Sequence, residues 1–308
     1  MKSFRRYTKL KLPPRFIHLK RIENQTFKEL DDLIEDGDTV IAYHSVPLMA
    51  VFEKLRKKKS FKFILQVAEI YADVLEDKKN RQKEIDFIKT ADRYILISNL
   101  LQKEIGLENK KSIVCSGLYE AEKEINTPPN DGKIHIVYAG TLDPVKGGAY
   151  FATEAARYLN EEYHIHILGF GNVRQRTAFF ELLEANKEAF QCTVTYDGCL
   201  KGEEYKRFLQ GCHIGLSTQN PSGAYNATSF PSKILVYLSN GLNVVSIKIP
   251  AVETSPVGQV MHYYEKSTPE EIAKAILSVD LNKASNGRET INKLNDEFIE
   301  SIKDLLKK

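Results

Sequence analysis

Residues 229–245 read SFPSKILVYLSNGLNVV, and the second half of the chain is organised around this stretch. The pattern predicts a polar loop, a helix that begins at Pro231, a stop at Gly241 and a buried strand of β-branched residues. Proline suits the first helical turn because its missing N–H has no partner there. Glycine suits a helix end because it adopts positive φ at little cost. The stretch therefore indicates a helix followed by a core strand of an α/β sheet.

Three side chains near this helix start would strengthen an anion site. The free N–H groups and the dipole of a helix N-terminus already attract negative charge. Ser229 and Ser232 add hydroxyl groups, and Lys233 places a positive charge in the first turn. We therefore expect this loop to hold a diphosphate. The alternative interpretation, a capped core helix without a ligand, fits the segment equally well when it is considered alone.

A second stretch, residues 134–148, reads IHIVYAGTLDPVKGG and predicts a strand, a glycine turn and a lysine that enters a helix. Together the two stretches resemble the C-terminal domain of GT-B nucleotide-sugar glycosyltransferases. The resemblance covers residues 132–262 well and is weaker over the preceding part. It implies an α/β protein of two Rossmann-like, doubly wound domains, with a C-terminal helix that crosses back to the first domain. In such sheets, ligands bind beyond the carboxyl ends of the strands.

The resemblance also assigns residues that bind the sugar donor. Lys146 and Lys233 would stabilise the negative charge that develops on the departing diphosphate, so no metal ion and no further cofactor is expected. Lys233 is accordingly the catalytic residue predicted in this domain. The positions expected to contact the nucleotide sugar are Gly140, Thr141, Lys146, Gly169, Gly171, Gly198, Tyr225, Thr228, Ser229, Ser232 and Lys233.

The sequence departs from the common GT-B pattern at three positions. Thr141 stands where family members often have an arginine that grips the diphosphate. Thr228 and Val236 stand where many retaining members carry two glutamates, and a valine cannot accept hydrogen bonds from a ribose. The Pro231-x-Lys233 pattern instead resembles capsular-polysaccharide and adhesin-glycan transferases, whose lysine contacts the diphosphate. Retention and inversion of the anomeric configuration are both open.

The domain boundary is expected in segment 126–132, which holds two prolines, two asparagines and a glycine but no large apolar residue. We assign residues 1–128 to an acceptor-side domain and residues 133–308 to the nucleotide-sugar domain. The glycine-rich loop that usually follows the first strand of GT-B proteins is missing from the sequence. The acceptor-side domain is therefore expected to be abbreviated.

Strands and helices alternate in this first domain, which predicts βαβ units and a parallel sheet. A short strand is expected at residues 16–19. A helix is expected at residues 26–34, opened by a capping box of Thr26 and Glu29.

One carboxylate in the first domain is a candidate general base. Glu69 follows the predicted strand 61–67 and would lie in the cleft between the domains, where it could accept the proton of an acceptor hydroxyl. The alternative is that Glu69 caps the next helix. His44 ends the strand 38–43 in a comparable place and is a weaker candidate, because a lone histidine is more often structural.

Composition narrows the class of protein. A chain of 308 residues with 42% hydrophobic and 28% charged residues is typical of a globular protein with two domains. No apolar run has the length of a membrane span or a signal core, so a cytoplasmic protein is expected. The four cysteines lack C-x-x-C spacing and predict neither a disulfide framework nor a zinc site: Cys115, Cys192, Cys199 and Cys212.

The formal net charge of +3 is unevenly distributed along the chain. Basic residues cluster at 1–21 and 54–62, which is consistent with solvated surface or with attraction to anionic lipid headgroups. The second interpretation would allow peripheral contact with the inner face of the membrane. No nucleic-acid-binding module accompanies the charge, so nucleic acid is not an expected partner.

These features favour a hexosyltransferase that moves a sugar from a UDP-linked donor to a glycan or lipid-linked saccharide in surface polysaccharide biosynthesis. A second hypothesis is a non-catalytic GT-B-like subunit that binds or stabilises a partner glycosyltransferase, which the residues at 228 and 236 also allow. A third, an NAD-dependent dehydrogenase, lacks support because Gly169-x-Gly171 has no third glycine and no acidic ribose ligand.

Overall fold

A computed structural model describes residues 15–220, 226 and 228–307. The chain forms two compact units. The first comprises the described residues up to Ile95 together with Ile105–Ser112, and the second comprises Leu96–Glu104 and the residues from Ile113 onwards. Segment 126–132 lies within the second unit, and the domain assignment 1–128 and 133–308 stays a prediction.

The first half of the chain folds around a four-stranded sheet of order β1-β2-β3-β4, in which β1 and β2 run parallel. Buried residues of β2, such as Phe63 and Ile64, form the centre of its core. The elements are α1 (Arg15–Leu33), β1 (Thr39–Tyr43), α2 (Met49–Lys58), β2 (Lys62–Val67), α3 (Tyr71–Val74), α4 (Arg81–Ile88), β3 (Arg93–Leu96), α5 (Asn99–Ile105) and β4 (Ser112–Val114).

Two predictions for this half are wrong. Residues 16–19 belong to helix α1 and not to a strand, and Thr26 lies inside the same helix and not at its start. No glycine or proline interrupts residues 15–33, so one helix runs through the region. Thr26 therefore has no free helix N-terminus to cap.

The second unit contains a six-stranded sheet of order β10-β9-β8-β5-β6-β7. All five neighbouring strand pairs are parallel, as in a doubly wound fold. The elements are β5 (Ile134–Thr141), α6 (Gly148–Glu154), β6 (Tyr163–Phe170), α7 (Val173–Asn186), β7 (Thr193–Gly198), α8 (Gly202–Gln210), β8 (Ile214–Ser217), α9 (Lys233–Ser239), β9 (Asn243–Ile247), α10 (Pro250–Glu253), β10 (Met261–Tyr264), α11 (Pro269–Leu277) and α12 (Gly287–Leu306).

Helix α9 begins two residues later than predicted. The N–H of Ile234 donates to the carbonyl of Pro231 at 3.0 Å, so a tight turn precedes the helix and Lys233 is its first residue. The predicted stop is confirmed, since Gly241 has a φ of +85° just after the helix. The strand that follows, β9, is buried as its β-branched sequence predicts.

The C-terminal helix α12 packs against α9 within the second unit. Phe298 of α12 lies edge-on to Tyr119, with ring centroids 6.1 Å apart, and Leu305 near its end is fully buried. The expectation that this helix crosses back to the first domain stays a prediction. Among the described residues, no helix combines the length and the apolar character that a membrane span requires.

Candidate functional site

Two glycines lie opposite each other where β5 and β6 end. Gly140 and Gly169 are partners in the parallel ladder. A Cβ atom on Gly169 would lie 2.3 Å from the carbonyl oxygen of Gly140, so only glycine lets the strands approach here. The hydroxyl of Tyr196 on β7 donates to the carbonyl of Gly169 at 2.9 Å and fixes this edge. The strand ends therefore present backbone atoms without side chains at Gly140 and Gly169.

Lys233 reaches this edge from the start of α9. Its Nζ lies 4.2 Å from the ring centroid of Tyr138, and a Cβ atom on Gly140 would lie 3.2 Å from the same Nζ. We call Gly140, Gly169 and Lys233 the glycine rim. The structure thus brings together the predicted residues of the two stretches, 134–148 and 229–245.

The ammonium of Lys233 has no anionic partner. Within the described part of the chain it forms no hydrogen bond and no ion pair, and it lies over the aromatic ring of Tyr138. Desolvation, with a smaller contribution from the positive charge of Lys146, lowers the pKa of Lys233 to about 7. An arriving anion would supply the missing partner and favour the charged form.

Lys146 lies exposed in the loop between β5 and α6. The N–H of Gly147 donates to the carbonyl of Asp143 at 3.0 Å, and the carbonyl of Lys146 accepts from the N–H of Asn220 at 2.9 Å. Gly147 has a φ of +69°, which a residue with a Cβ would adopt only under strain. Backbone hydrogen bonds therefore fix the conformation of this loop. The positive charge of Lys146 acts on Lys233.

The remaining predicted donor residues occupy several environments. Ser229 has a buried hydroxyl oxygen without a hydrogen-bond partner in the described structure. The carbonyl of Thr228 accepts from Ser98 at 2.7 Å, which anchors the loop before α9. The others with described positions are Thr141 and Gly198, the last residues of β5 and β7, Gly171 just after β6, and Ser232, exposed before α9. Tyr225 lies outside the described residues.

A cavity of about 320 Å³ opens along helix α9 in the second unit. Val236 contributes an apolar wall to it. Two carboxylates also line the cavity. Glu120 is exposed, and Glu122 forms an ion pair with Lys206 at 2.6 Å. Its lining residues include Gly117, Leu118, Gly202, Tyr205, Ser232 and Leu235.

In the first unit, Glu69 lies just past the end of β2, as predicted, and is half-buried. Its loop is held by Glu84, whose carboxylate accepts from the N–H groups of Tyr71 and Ala72, each at 2.8 Å. His44 contacts the same carboxylate, with Nε2 2.7 Å from Oε1. His44 is almost fully buried and serves this contact, which agrees with its structural interpretation.

Sequence analysis missed Glu84. Burial alone would raise the pKa of its carboxyl, but the hydrogen bonds from His44 and two backbone N–H groups hold that pKa below its usual value. No local signal could have found it, because its partners lie twelve to forty residues away. The analysis also missed a group of histidines on β5 and β6. The H-x-H spacing of His164 and His166, which puts both side chains on one face of a strand, was an available signal.

Comparison with known proteins identifies the fold. No protein family model matches the sequence, and no curated protein matches it either. A UDP-forming α,α-trehalose-phosphate synthase from Burkholderia vietnamiensis is similar in structure, with a TM-score of 0.70 and 10% identity over 94% of this chain and 79% of that one. A glycosyltransferase from Rickettsia africae has a TM-score of 0.62 and 16% identity over 100% of this chain and 84% of that one.

A third similar structure is described as "Trehalose-6-phosphate from E. coli bound with UDP-2-fluoro glucose". Its TM-score is 0.67, with 12% identity over 94% of this chain and 78% of that chain. The chain has the GT-B fold. The predicted fold class, an α/β protein of two Rossmann-like units, is confirmed. At these identities the likeness concerns the fold, and the activity has to be argued from the site.

Proposed function

We propose that this protein is a glycosyltransferase that moves a hexose from a UDP-linked donor to a hydroxyl acceptor. The observation that carries the proposal is the unpartnered ammonium of Lys233 beside the bare backbone of Gly140 and Gly169. A half-buried, partly desolvated cation without a counter-ion is stabilised when an anionic ligand provides one. The GT-B fold and the UDP-2-fluoro glucose described in a similar structure make a nucleotide diphosphate the ligand of choice.

The proposed chemistry is stabilisation of the leaving group. As the glycosidic bond to the diphosphate breaks, negative charge develops on the departing UDP. Lys233 would pair with that charge directly, and Lys146 would add a second positive charge from the loop after β5. The glycines let the phosphates approach the backbone where a Cβ atom would otherwise stand.

The cavity along α9 suits the nucleoside part of such a donor. It shares Ser232 with the loop that precedes Lys233, so a ligand could occupy both regions at once. Val236 offers an apolar wall for a ring. Glu120 and Glu122 offer carboxylate oxygens to ribose hydroxyls, a role that Val236 cannot perform.

Glu69 remains the proposed general base for the acceptor hydroxyl. Its half-buried position after β2 is consistent with that role. Glu69→Gln would then lower turnover while donor binding stays intact, whereas unchanged turnover would return Glu69 to a structural role. A glycan or lipid-linked saccharide acceptor, surface polysaccharide biosynthesis and a cytoplasmic location with contact to the inner membrane face belong to the same proposal.

The decisive experiment measures UDP binding and UDP release with the full chain. Calorimetry should detect UDP binding to the wild type, and a panel of UDP-hexoses with saccharide acceptors should identify a donor from which UDP is released. Lys233→Ala should weaken both. Lys248→Ala is the matched control, since this exposed lysine of the same unit follows β9 and already pairs with Glu253 and Glu265.

The residues at 228 and 236 favour one other function, a non-catalytic subunit that uses the GT-B fold to bind a partner transferase. Both positions lack the carboxylates of many retaining enzymes. A wild-type chain that binds no nucleotide and releases no UDP from any donor would support that second function and overturn the first.

A further inference from the structure

Three histidines lie together on one face of the sheet in the second unit. His135 on β5 is the ladder partner of His164 on β6, and His166 follows two residues later on the same face. His135 and His166 are more than nine-tenths buried, and His164 is half-buried. Phe208 of α8 lies edge-on to the His166 ring at 5.2 Å and covers it. We call His135, His164 and His166 the histidine cluster.

Carboxylates fix the outer nitrogens of two of these rings. Nε2 of His135 lies 3.2 Å from Oδ2 of Asp131, and Nδ1 of His166 lies 3.1 Å from Oδ2 of Asp197. An ionised carboxylate only accepts hydrogen bonds, so each of these nitrogens carries a hydrogen. A neutral imidazole with one N–H presents a lone pair on its other nitrogen.

The two remaining nitrogens face each other. Nδ1 of His135 and Nε2 of His166 are 2.9 Å apart. Two lone pairs at that distance repel each other unless a cation, either a proton or a metal ion, lies between them. The arrangement therefore requires one positive charge at this point.

A hydrogen bond also fixes the tautomer of the third histidine, His164. Nε2 of His164 lies 3.0 Å from the hydroxyl of Thr195, which donates to Asp197 at 2.9 Å. Because that hydroxyl has given its hydrogen to the carboxylate, Nε2 of His164 must be the donor in their contact. Nδ1 of His164 is left as the lone-pair nitrogen.

We propose that the histidine cluster binds one divalent transition-metal ion, with zinc as the best match. One nitrogen of each of the three rings lies within 4.8 Å of the others. Zinc–nitrogen bonds of 2.0–2.1 Å place tetrahedral ligands about 3.4 Å apart, so small rotations of the rings complete the set. Imidazole nitrogens suit zinc, whereas magnesium and calcium prefer oxygen. Asp131 and Asp197 then orient the ligands from outside.

The ion would tie β5 to β6 and does not depend on the proposed transferase activity. His166, the ligand nearest to the rim along its strand, precedes Gly169 by three residues, which is about 10 Å along an extended strand. The ligands are also largely buried beneath α8, away from the glycine rim. We therefore expect the ion to stabilise the second unit without entering the transfer reaction, so the two proposals can fail separately.

Cobalt and zinc titrations test this site. The full chain is prepared without a histidine tag, dialysed against a chelator and titrated with Co²⁺ and then Zn²⁺. We expect one ion per chain, visible d–d absorption with Co²⁺ and its loss when Zn²⁺ displaces cobalt. His166→Gln should weaken Zn²⁺ binding at least 100-fold, and Asp197→Asn should weaken it 10- to 100-fold. His262→Ala is the control and should change affinity less than twofold, because His262 lies on β10 at the far edge of the sheet.

Several outcomes would overturn the site. If the wild type binds no metal ion, the proposal is wrong, and the cation between His135 and His166 is a shared proton. Undiminished binding by both His135→Gln and His166→Gln, or a thiolate charge-transfer band from exposed Cys199, would place the ion elsewhere. If these variants do not fold, the wild type still decides the matter. Zn²⁺ must raise its melting temperature, and no rise contradicts the proposal.

Discussion

The two ends of the β5–β6 strand pair differ in how their basic side chains are partnered. At the carboxyl end, Lys233 has no anionic partner in the described structure, and burial lowers its pKa to about 7. Towards the amino end, burial and two neighbouring imidazoles lower the pKa of His164 to about 4, yet its ring is hydrogen-bonded to Thr195. The ammonium of Lys233 therefore lacks a counter-ion, which a ligand can supply. The imidazole rings of the histidine cluster are instead already oriented by hydrogen bonds within the protein.

This difference separates a substrate site from a structural one. A substrate must arrive and leave, so its site is left incomplete in the free protein. A structural ion stays, so its ligands are oriented in advance by groups such as Asp131 and Asp197. Perturbed pKa values alone would have marked both regions equally, and the partners of each group distinguish them.

The largest expected effect is on turnover at the glycine rim. Lys233→Ala should lower kcat by about 10²- to 10³-fold, because it removes a charge that acts on the departing diphosphate. Steady-state kinetics of UDP release measure this loss, with Lys248→Ala as the control. If His166→Gln lowers kcat as much as Lys233→Ala does, the histidine cluster takes part in the reaction, and the proposed difference between the two regions is wrong.

The second prediction concerns the close approach of the strands. Gly169→Ala puts a Cβ atom against a backbone carbonyl, so the free energy of unfolding should fall by about 1–3 kcal/mol. A Cβ atom on Gly140 would lie 2.7 Å from the hydroxyl oxygen of buried Tyr138 and 3.2 Å from the Nζ of Lys233, which are side-chain atoms and not backbone.

Urea unfolding and UDP calorimetry on this pair of variants separate packing from ligand binding. Gly140→Ala should lose less stability than Gly169→Ala, because side chains give way more easily than a backbone carbonyl. It should also lose affinity for UDP, because the displaced ammonium no longer meets the phosphates. Equal stability of both variants would contradict the close contact between the strands at Gly169.

The third prediction follows from the pKa of Lys233. In the free protein the ammonium loses its proton as the pH rises through about 7, whereas a bound diphosphate raises that pKa again. UDP binding should therefore take up a proton above pH 7, and the affinity should fall up to tenfold per pH unit over that range. Below pH 7 the lysine is charged in both states, so the affinity should be flat with respect to this group.

Calorimetry in buffers of different ionisation enthalpy measures the proton uptake directly. Lys233→Arg serves as the control, since a guanidinium stays charged throughout this range. The same pH dependence in that variant would assign the proton to another group.

The sequence was sufficient for most of this architecture. Glycine and proline positions and β-branched runs located the strands of the second unit, and the ordered motifs brought Gly140, Gly169 and Lys233 to one edge. The full length of α1 was not predicted, because the capping-box pattern at Thr26 can also occur inside a helix. Whether such a pattern starts a helix depends on whether the preceding turn is helical. The surroundings of Lys233 and the contacts among the histidines could not be predicted, because they depend on residues far apart in the sequence. Examples are the contacts of His166 with His135 and with Asp197, each 31 residues away.

The smallest expected effect tests whether the pairing within the histidine cluster contributes only to stability. Thr195→Val keeps the shape of the side chain but removes the hydroxyl that donates to Asp197 and accepts from His164. Loss of these hydrogen bonds should lower the free energy of unfolding by about 1 kcal/mol. Thr193→Val, two residues earlier on β7 and exposed, should change it by less than about 0.5 kcal/mol. UDP affinity should be the same in both variants, and a drop in Thr195→Val alone would connect the cluster to the glycine rim.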